Sequence, residues 1–267
     1  MTWVLGTGSL FGFAALIGDT RVTWPDGRTE DILQKLYPVT PHLMVGFSGS
    51  VELGFTMVAD MADAFAVDPG EVWSPRVAAW RWWRRGRRRF RDAEDAQRSL
   101  GCSLLLVGVS AVRAGMTGFR AYAIRMQSPE FCPEFIPTSA WASIGSGAGS
   151  QAALEIARAQ SEDPIEFLTT YGQGEVGMGI GGSATMMAWQ VARDLVESPL
   201  LDVGETVQLG LVTIEGPQIR TVRGQVDLGL PSQRWVGEEP VCRSWEDFRD
   251  WLDGDPDAIG SATAAGP

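Results

Sequence analysis

Apolar and polar positions change rhythm along this chain, and the changes divide it into strands and helices. TWVLGTG and LFGFAALIGDTRVTW are apolar segments joined by a Gly/Ser turn, and LMVGFSGS follows a PVTP break; all three predict packed strands. From Val51 the period lengthens. Leu53, Met57, Met61 and Phe65 recur at helical spacing, Asp60 and Asp63 fall on another face, and DPGE closes the segment, so 51–65 predicts an amphipathic helix. A second helix is predicted over 76–98, where Val77, Trp80, Trp83 and Arg84 follow helical spacing inside an arginine-rich run. SLLLVGVSAV and GFRAYAIRMQ predict strands, SPEFCPEFIPT interrupts them, and WASIGSGAGSQAALEIARAQ predicts a strand, a Gly/Ser turn and a helix. A further helix over about 183–198 and strands in ETVQLGLVTIEG and IRTVRGQVDLG complete the order strands, two helices, strands, two helices, strands. Beyond them SWEDFRDWL predicts a short helix at about 244–252, and DGDPDAIGSATAAGP is small and polar enough to be expected disordered.

Composition narrows the class. A chain of 267 residues that is 45% hydrophobic can bury a sizeable core. Its longest apolar runs fall short of the roughly 18–20 residues that span a bilayer. The first residues lack a basic n-region, so no membrane partner is expected and the cytoplasm is the expected compartment. Cys102, Cys132 and Cys242 are scattered, which predicts reduced thiols, and the single histidine, His42, leaves no two-histidine metal site; neither a metal nor a cofactor is expected. The net charge of −11 argues against general affinity for nucleic acid. The arginine-rich segment at 76–98 reads first as a packed helix with a solvated basic face. A nucleic-acid site or a docking face for an acidic partner are the alternatives.

Arginine occurs 21 times in the chain and lysine once, at Lys35. Only lysine can be tuned toward neutrality by burial and neighbouring charge. Its surroundings give that choice a meaning. TWVL at the start, GDTRVT around Asp19, QKLYPVTPHLMVGFSGS at 34–50 and IGSGAGSQAA at 144–153 together resemble the proteasome β-subunit family and its simpler bacterial relative HslV, which are N-terminal-nucleophile hydrolases. Sixteen residues separate Asp19 from Lys35 and fourteen separate Lys35 from Gly49, as in that family; the resemblance covers roughly residues 2–216.

The resemblance implies an α+β fold, a four-layer α/β/β/α sandwich over 2–230, with 231–267 as a C-terminal extension. It implies a catalytic set of Thr2, Asp19, Lys35, Gly49 and Ser146, with Ser146 supporting the threonine's amino group. Arg21, Thr23, Phe47 and Ser48 are implied on the substrate side. It further implies a peptide or unfolded-protein substrate, a homo-oligomer of one ring or stacked rings, and an ATP-dependent unfoldase as a possible partner.

The chemistry of such a set follows from elementary principles. A threonine hydroxyl needs a base to become a nucleophile, and an α-amino group, with a pKa of about 7.7–8.0, is suited to that at neutral pH. Thr2 is small enough for Met1 to be removed ahead of it. A lysine ammonium favours the developing alkoxide, a carboxylate at Asp19 would hold that ammonium, and the N–H of Gly49 would face the oxyanion. On this reading Lys35→Arg abolishes hydrolysis and leaves the fold intact. Two departures stand against the family pattern: the interval from Thr2 to Asp19 is one residue longer, and LLDVGETVQL places Val203 and Glu205 where a serine and a glycine are expected, with Asp202 as the nearest acid. A catalytically silent subunit of the same fold is therefore the second expectation.

Overall fold

In a computed structural model of the chain, the residues described are 3–8, 13–24, 26–66, 74–111, 119–138, 140–145, 203–204, 206–223 and 240–254. They form two five-stranded sheets. The first runs in the order β10 (Trp141–Gly145), β1 (Trp3–Gly8), β2 (Ala14–Asp19), β11 (Thr206–Thr213), β12 (Gly216–Arg223). The second is β5 (Leu36–Thr40), β6 (Leu43–Gly49), β7 (Cys102–Ala111), β8 (Phe119–Gln127), β9 (Glu134–Ile136). A two-stranded ribbon, β3 (Arg21–Thr23) with β4 (Thr29–Asp31), stands apart, and every pairing between these strands is antiparallel.

The sheets meet through the alternation of their strands. Val4 and Leu16 of the first sheet join Leu36, Met44, Leu105 and Val107 of the second in one buried cluster. Side chains point to opposite faces at every second residue, so Leu43, Val45 and Phe47 turn the other way on β6 and belong to a second cluster. The approach between the sheets is close enough that a Cβ on Gly46 would lie 2.7 Å from Val4 Cγ1. Trp3, Leu5 and Ile17 alternate with the inward residues of the first sheet and are themselves fully buried.

Helices cover the outer face of the second sheet. Ser50 caps α1 (Val51–Ala64), its Oγ accepting from the Leu53 N–H at 3.3 Å, and Leu53, Met57 and Met61 turn inward. Asp60 was expected on the polar side, yet it is buried: its carboxylate accepts from Trp82 Nε1 at 3.0 Å and pairs with Arg85 at 2.6 Å and Arg89 at 2.8 Å. Those three partners lie on α2 (Pro75–Asp92). The inward stripe of α2 also differs from the expected one. Ala78, Ala79, Trp82, Gly86 and Phe90 are buried, whereas Val77 and Trp80 are exposed. Trp80 lies against Trp83 and Phe135, Arg84 lies over the Trp83 ring and Arg76 over Phe135. The expected helix over 76–98 is in fact two, since the chain turns at 93–94 before α3 (Asp95–Leu100).

The end of the chain is built into the same core. Cys242 bridges to Leu33 in parallel, donating its N–H to Ile32 O and accepting from Gln34 N–H, each at 2.9 Å. The helix α4 (Trp245–Gly254) then stacks Phe248 and Trp251 on Trp24, with ring centroids 5.7 and 5.8 Å away. The extension expected beyond residue 230 thus contributes a core helix rather than an appendage. The helices expected within 148–198 and the tail from 255 lie outside the described residues. No described helix is long and apolar enough to cross a membrane.

Candidate active site

One end of β2 carries Asp19, and the short link between the bridge at Leu33 and the start of β5 carries Lys35. Both side chains are fully buried, and the Lys35 ammonium donates to Asp19 Oδ1. It also donates to the carbonyl of Arg21 at 2.7 Å. The backbone of Lys35 is held from both sheets: its N–H donates to Gln208 Oε1 on β11 at 2.9 Å, and its carbonyl accepts from the Phe47 N–H on β6 at 3.3 Å. An ammonium has three protons, and two acceptors for them are found among the described residues.

The Asp19 carboxylate is equally engaged. Oδ1 accepts from the Arg21 N–H at 2.7 Å, and Oδ2 accepts from the Trp3 N–H at 2.8 Å. That last bond binds the amide nitrogen to which Thr2 is joined, so the start of β1 is tied to the lysine's own counter-ion. Beside it, Arg21 makes a paired contact with Asp31 across the ribbon, Nε to Oδ1 at 2.8 Å and Nη2 to Oδ2 at 3.3 Å. Arg21 and Asp31 are direct partners in the β3–β4 register.

Burial governs the titration of this pair. Loss of hydration pushes the Lys35 ammonium below the ordinary lysine value, opposed chiefly by Asp19 and then by Asp31, while Arg21 adds to the lowering. The same loss pushes the Asp19 carboxyl above the ordinary aspartate value, against the Lys35 charge and the N–H groups of Arg21 and Trp3.

The remaining expected residues divide. Gly49 ends β6 with φ +100°, and a Cβ there would lie 2.5 Å from the Gly101 carbonyl oxygen, so the position admits only glycine. Ser48 is buried and pairs with Ser103. Thr23 is half-buried on β3, and its hydroxyl has no hydrogen-bond partner among the described residues. Phe47, expected on the substrate side, is fully buried in the helix-side core, where it packs on Tyr37 and Phe55 at 6.2 and 5.5 Å. It has no surface to offer a substrate, because alternation along β6 turns it away from the sheet interface. Thr2, Ser146, Asp202 and Glu205 lie outside the described residues; Val203, at the position where a serine was expected, is buried. Sequence reasoning missed Gln208, whose signal is a lone amide inside the apolar strand TVQLGLVT, and Asp31.

Among the described residues no group of three or more His, Cys, Asp or Glu side chains could hold a metal ion. No protein-family model matches this chain, and no curated protein matches it at a significant level.

Proposed function

We propose that this chain is a threonine-type peptidase or amide hydrolase in which Thr2, after removal of Met1, is the nucleophile. The observation that carries the reading is the Lys35–Asp19 pair, buried beside the amide that joins Thr2 to β1. A buried ion pair contributes little net stability over well-packed apolar side chains. Its presence at the strand end therefore argues for chemistry. In the proposed reaction the Thr2 hydroxyl oxygen bonds to the substrate carbonyl carbon while its proton passes to the α-amine. The Lys35 ammonium stabilises the oxygen as it gains charge, and Asp19 holds that ammonium in place. Gly49 supplies the glycine that the oxyanion position requires. Collapse of the tetrahedral intermediate breaks the amide bond, the amine proton goes to the leaving nitrogen, and water activated by the same amine hydrolyses the Thr2 ester.

The fold that fits this reading is the four-layer sandwich, with the buried outward residues Trp3, Leu5 and Ile17 of the first sheet supporting a second helical cover. The substrate class is a peptide or unfolded polypeptide, and the cytoplasm is the proposed compartment. Intact mass should show a chain beginning at Thr2, and a fluorogenic peptide panel should show turnover that Thr2→Ala abolishes, with circular dichroism unchanged. Retention of Met1 would remove the base and defeat the mechanism.

The pH dependence has a worked sign. Lys35 is lowered in the folded state, so the folded protein holds fewer protons than the unfolded one between that lowered value and the ordinary one of 10.5. On this account stability rises with pH across that window while turnover, which needs the ammonium, declines. A loss of turnover that tracks unfolding in the same buffers would contradict it.

A silent subunit is the second reading, favoured by the buried Val203 where the resemblance calls for serine. No turnover by a mature chain beginning at Thr2 would select it. Both readings propose a homo-oligomer, with the exposed Trp80 and the arginines about it as the contact face. Light scattering at micromolar concentration should give a multiple of 28.9 kDa; a monomer would reject the assembly.

A further inference from the structure

Arg21 touches the ion pair with two separate groups and holds Asp31 with a third. Its N–H donates to Asp19 Oδ1 at 2.7 Å, its carbonyl accepts from Lys35 Nζ at 2.7 Å, and its guanidinium pairs with Asp31. The backbone of this one residue therefore supplies a hydrogen bond to each member of the pair. That backbone belongs to a ribbon of three residues per strand, and a two-stranded ribbon is marginal without outside support. The guanidinium–carboxylate fork lies directly across it. The fork lies at the surface end of the ribbon, with the two side chains 20% and 27% exposed, so its hold on the Arg21 backbone rests on its paired geometry rather than on burial. On its far side the Asp31 carboxylate abuts the loop before β11: a Cβ on Gly204 would lie 2.5 Å from Asp31 Oδ1.

We propose that Asp31 is a positioning residue for Lys35: by clamping the Arg21 side chain it fixes the backbone groups that cage the ammonium, and it balances the Arg21 charge beside it. Its consequence for turnover rests on the hydrolase reading; its action on Lys35 does not. Among the described residues the charged groups around the ammonium are Asp19 from β2, Arg21 from β3 and Asp31 from β4, with the neutral Gln208 from β11 at its backbone. Removing the Asp31 charge leaves Arg21 uncompensated next to Lys35 and frees the guanidinium that anchors the ribbon. Both effects disfavour the ammonium.

The chain's single lysine makes the test direct. Full-length protein labelled with ¹³C and ¹⁵N on lysine gives one side-chain signal, whose midpoint of titration is Lys35's alone. Asp31→Asn is expected to move that midpoint to lower pH and to speed hydrogen exchange at the Arg21 amide. If the protein hydrolyses peptides, the alkaline limb of kcat should shift down with it, and kcat should fall by up to about a hundredfold, the cost of a small misplacement of a catalytic group. Asp31→Glu should restore part of the midpoint. Should Asp31→Asn fail to fold, Arg21→Gln with Asp31→Asn, which leaves two amides facing each other, carries the same test with a smaller downward shift. An unchanged or raised midpoint overturns the proposal. A lowered midpoint in a protein with no turnover upholds it and removes the hydrolase reading instead.

Discussion

Lys35→Met should cost about 3–5 kcal/mol of folding stability, because it leaves the Asp19 carboxylate buried without its counter-ion, and it should abolish turnover. Among the described residues nothing near Asp19 can replace the ammonium: its other bonds come from two backbone N–H groups, and the neighbouring guanidinium is paired with Asp31. Asp19→Leu alone should be costly for the mirror reason. The double variant should recover most of the loss, since a packed apolar pair can replace a buried ion pair at little cost. Urea denaturation of the four proteins closes the cycle; simple additivity of the two losses would mean the pair is not coupled. Lys35→Arg is harsher than charge conservation suggests. The site is fully enclosed and its acceptors converge on one nitrogen, so a planar guanidinium overpacks it at about 1–3 kcal/mol. The fold is then strained as well as the chemistry removed, and the variant needs its own stability measurement.

The second large effect lies at the helix pair. Trp82 is 1% exposed, and its ring covers Gly86 one turn later so tightly that a Cβ on Gly86 would collide with the six-membered ring. Trp82→Ala should cost about 3–5 kcal/mol. Gly86→Ala in the native background should destabilise, because the ring it meets is packed on Phe131 at 6.1 Å and tied to Asp60. In the Trp82→Ala background the same change should stabilise by about 1 kcal/mol, the ordinary helical advantage of alanine over glycine. Chemical denaturation of the two single variants and the double variant tests that reversal of sign; a destabilising Gly86→Ala in both backgrounds would show that the ring is not the obstacle.

What could be read from the sequence depended on how each feature is encoded. The Asp19–Lys35 pairing was legible because the two residues stand at the spacing of the family the chain resembles, and because one lysine among 21 arginines asks for a reason. The strand order within the sheets was not, since pairing is settled by contacts far apart in sequence. On α2 the inward stripe is made of Ala78, Ala79, Gly86 and two rings. A search for apolar weight therefore settled on Val77 and Trp80, the bulkier residues on the open side. Asp60 misled for the opposite reason: a carboxylate reads as solvent-facing until its three partners on another helix are known. Strict alternation along LMVGFSG would have turned Phe47 away from the site, a local signal that the resemblance outweighed. Asp31 had no sequence signal, because its importance lies in the fork it forms with Arg21.

The strand-like seam between Cys242 and residues 32–34, with Phe248 and Trp251 stacked on Trp24, has a consequence for the chain's integrity. It joins the two pieces without the covalent link between them. A protein cut within 224–239 should stay together as a noncovalent complex, and fragments 1–223 and 240–267 made separately should find each other when mixed. Stacking of Trp24 on Phe248 and Trp251 would change the tryptophan fluorescence of the mixture relative to the sum of the separate fragments. The lysine's approach to its site begins at Gln34, whose N–H is bonded to that seam, so the small fragment would act as a removable brace. Titrating it in would reassemble the lysine's surroundings one bound fragment at a time.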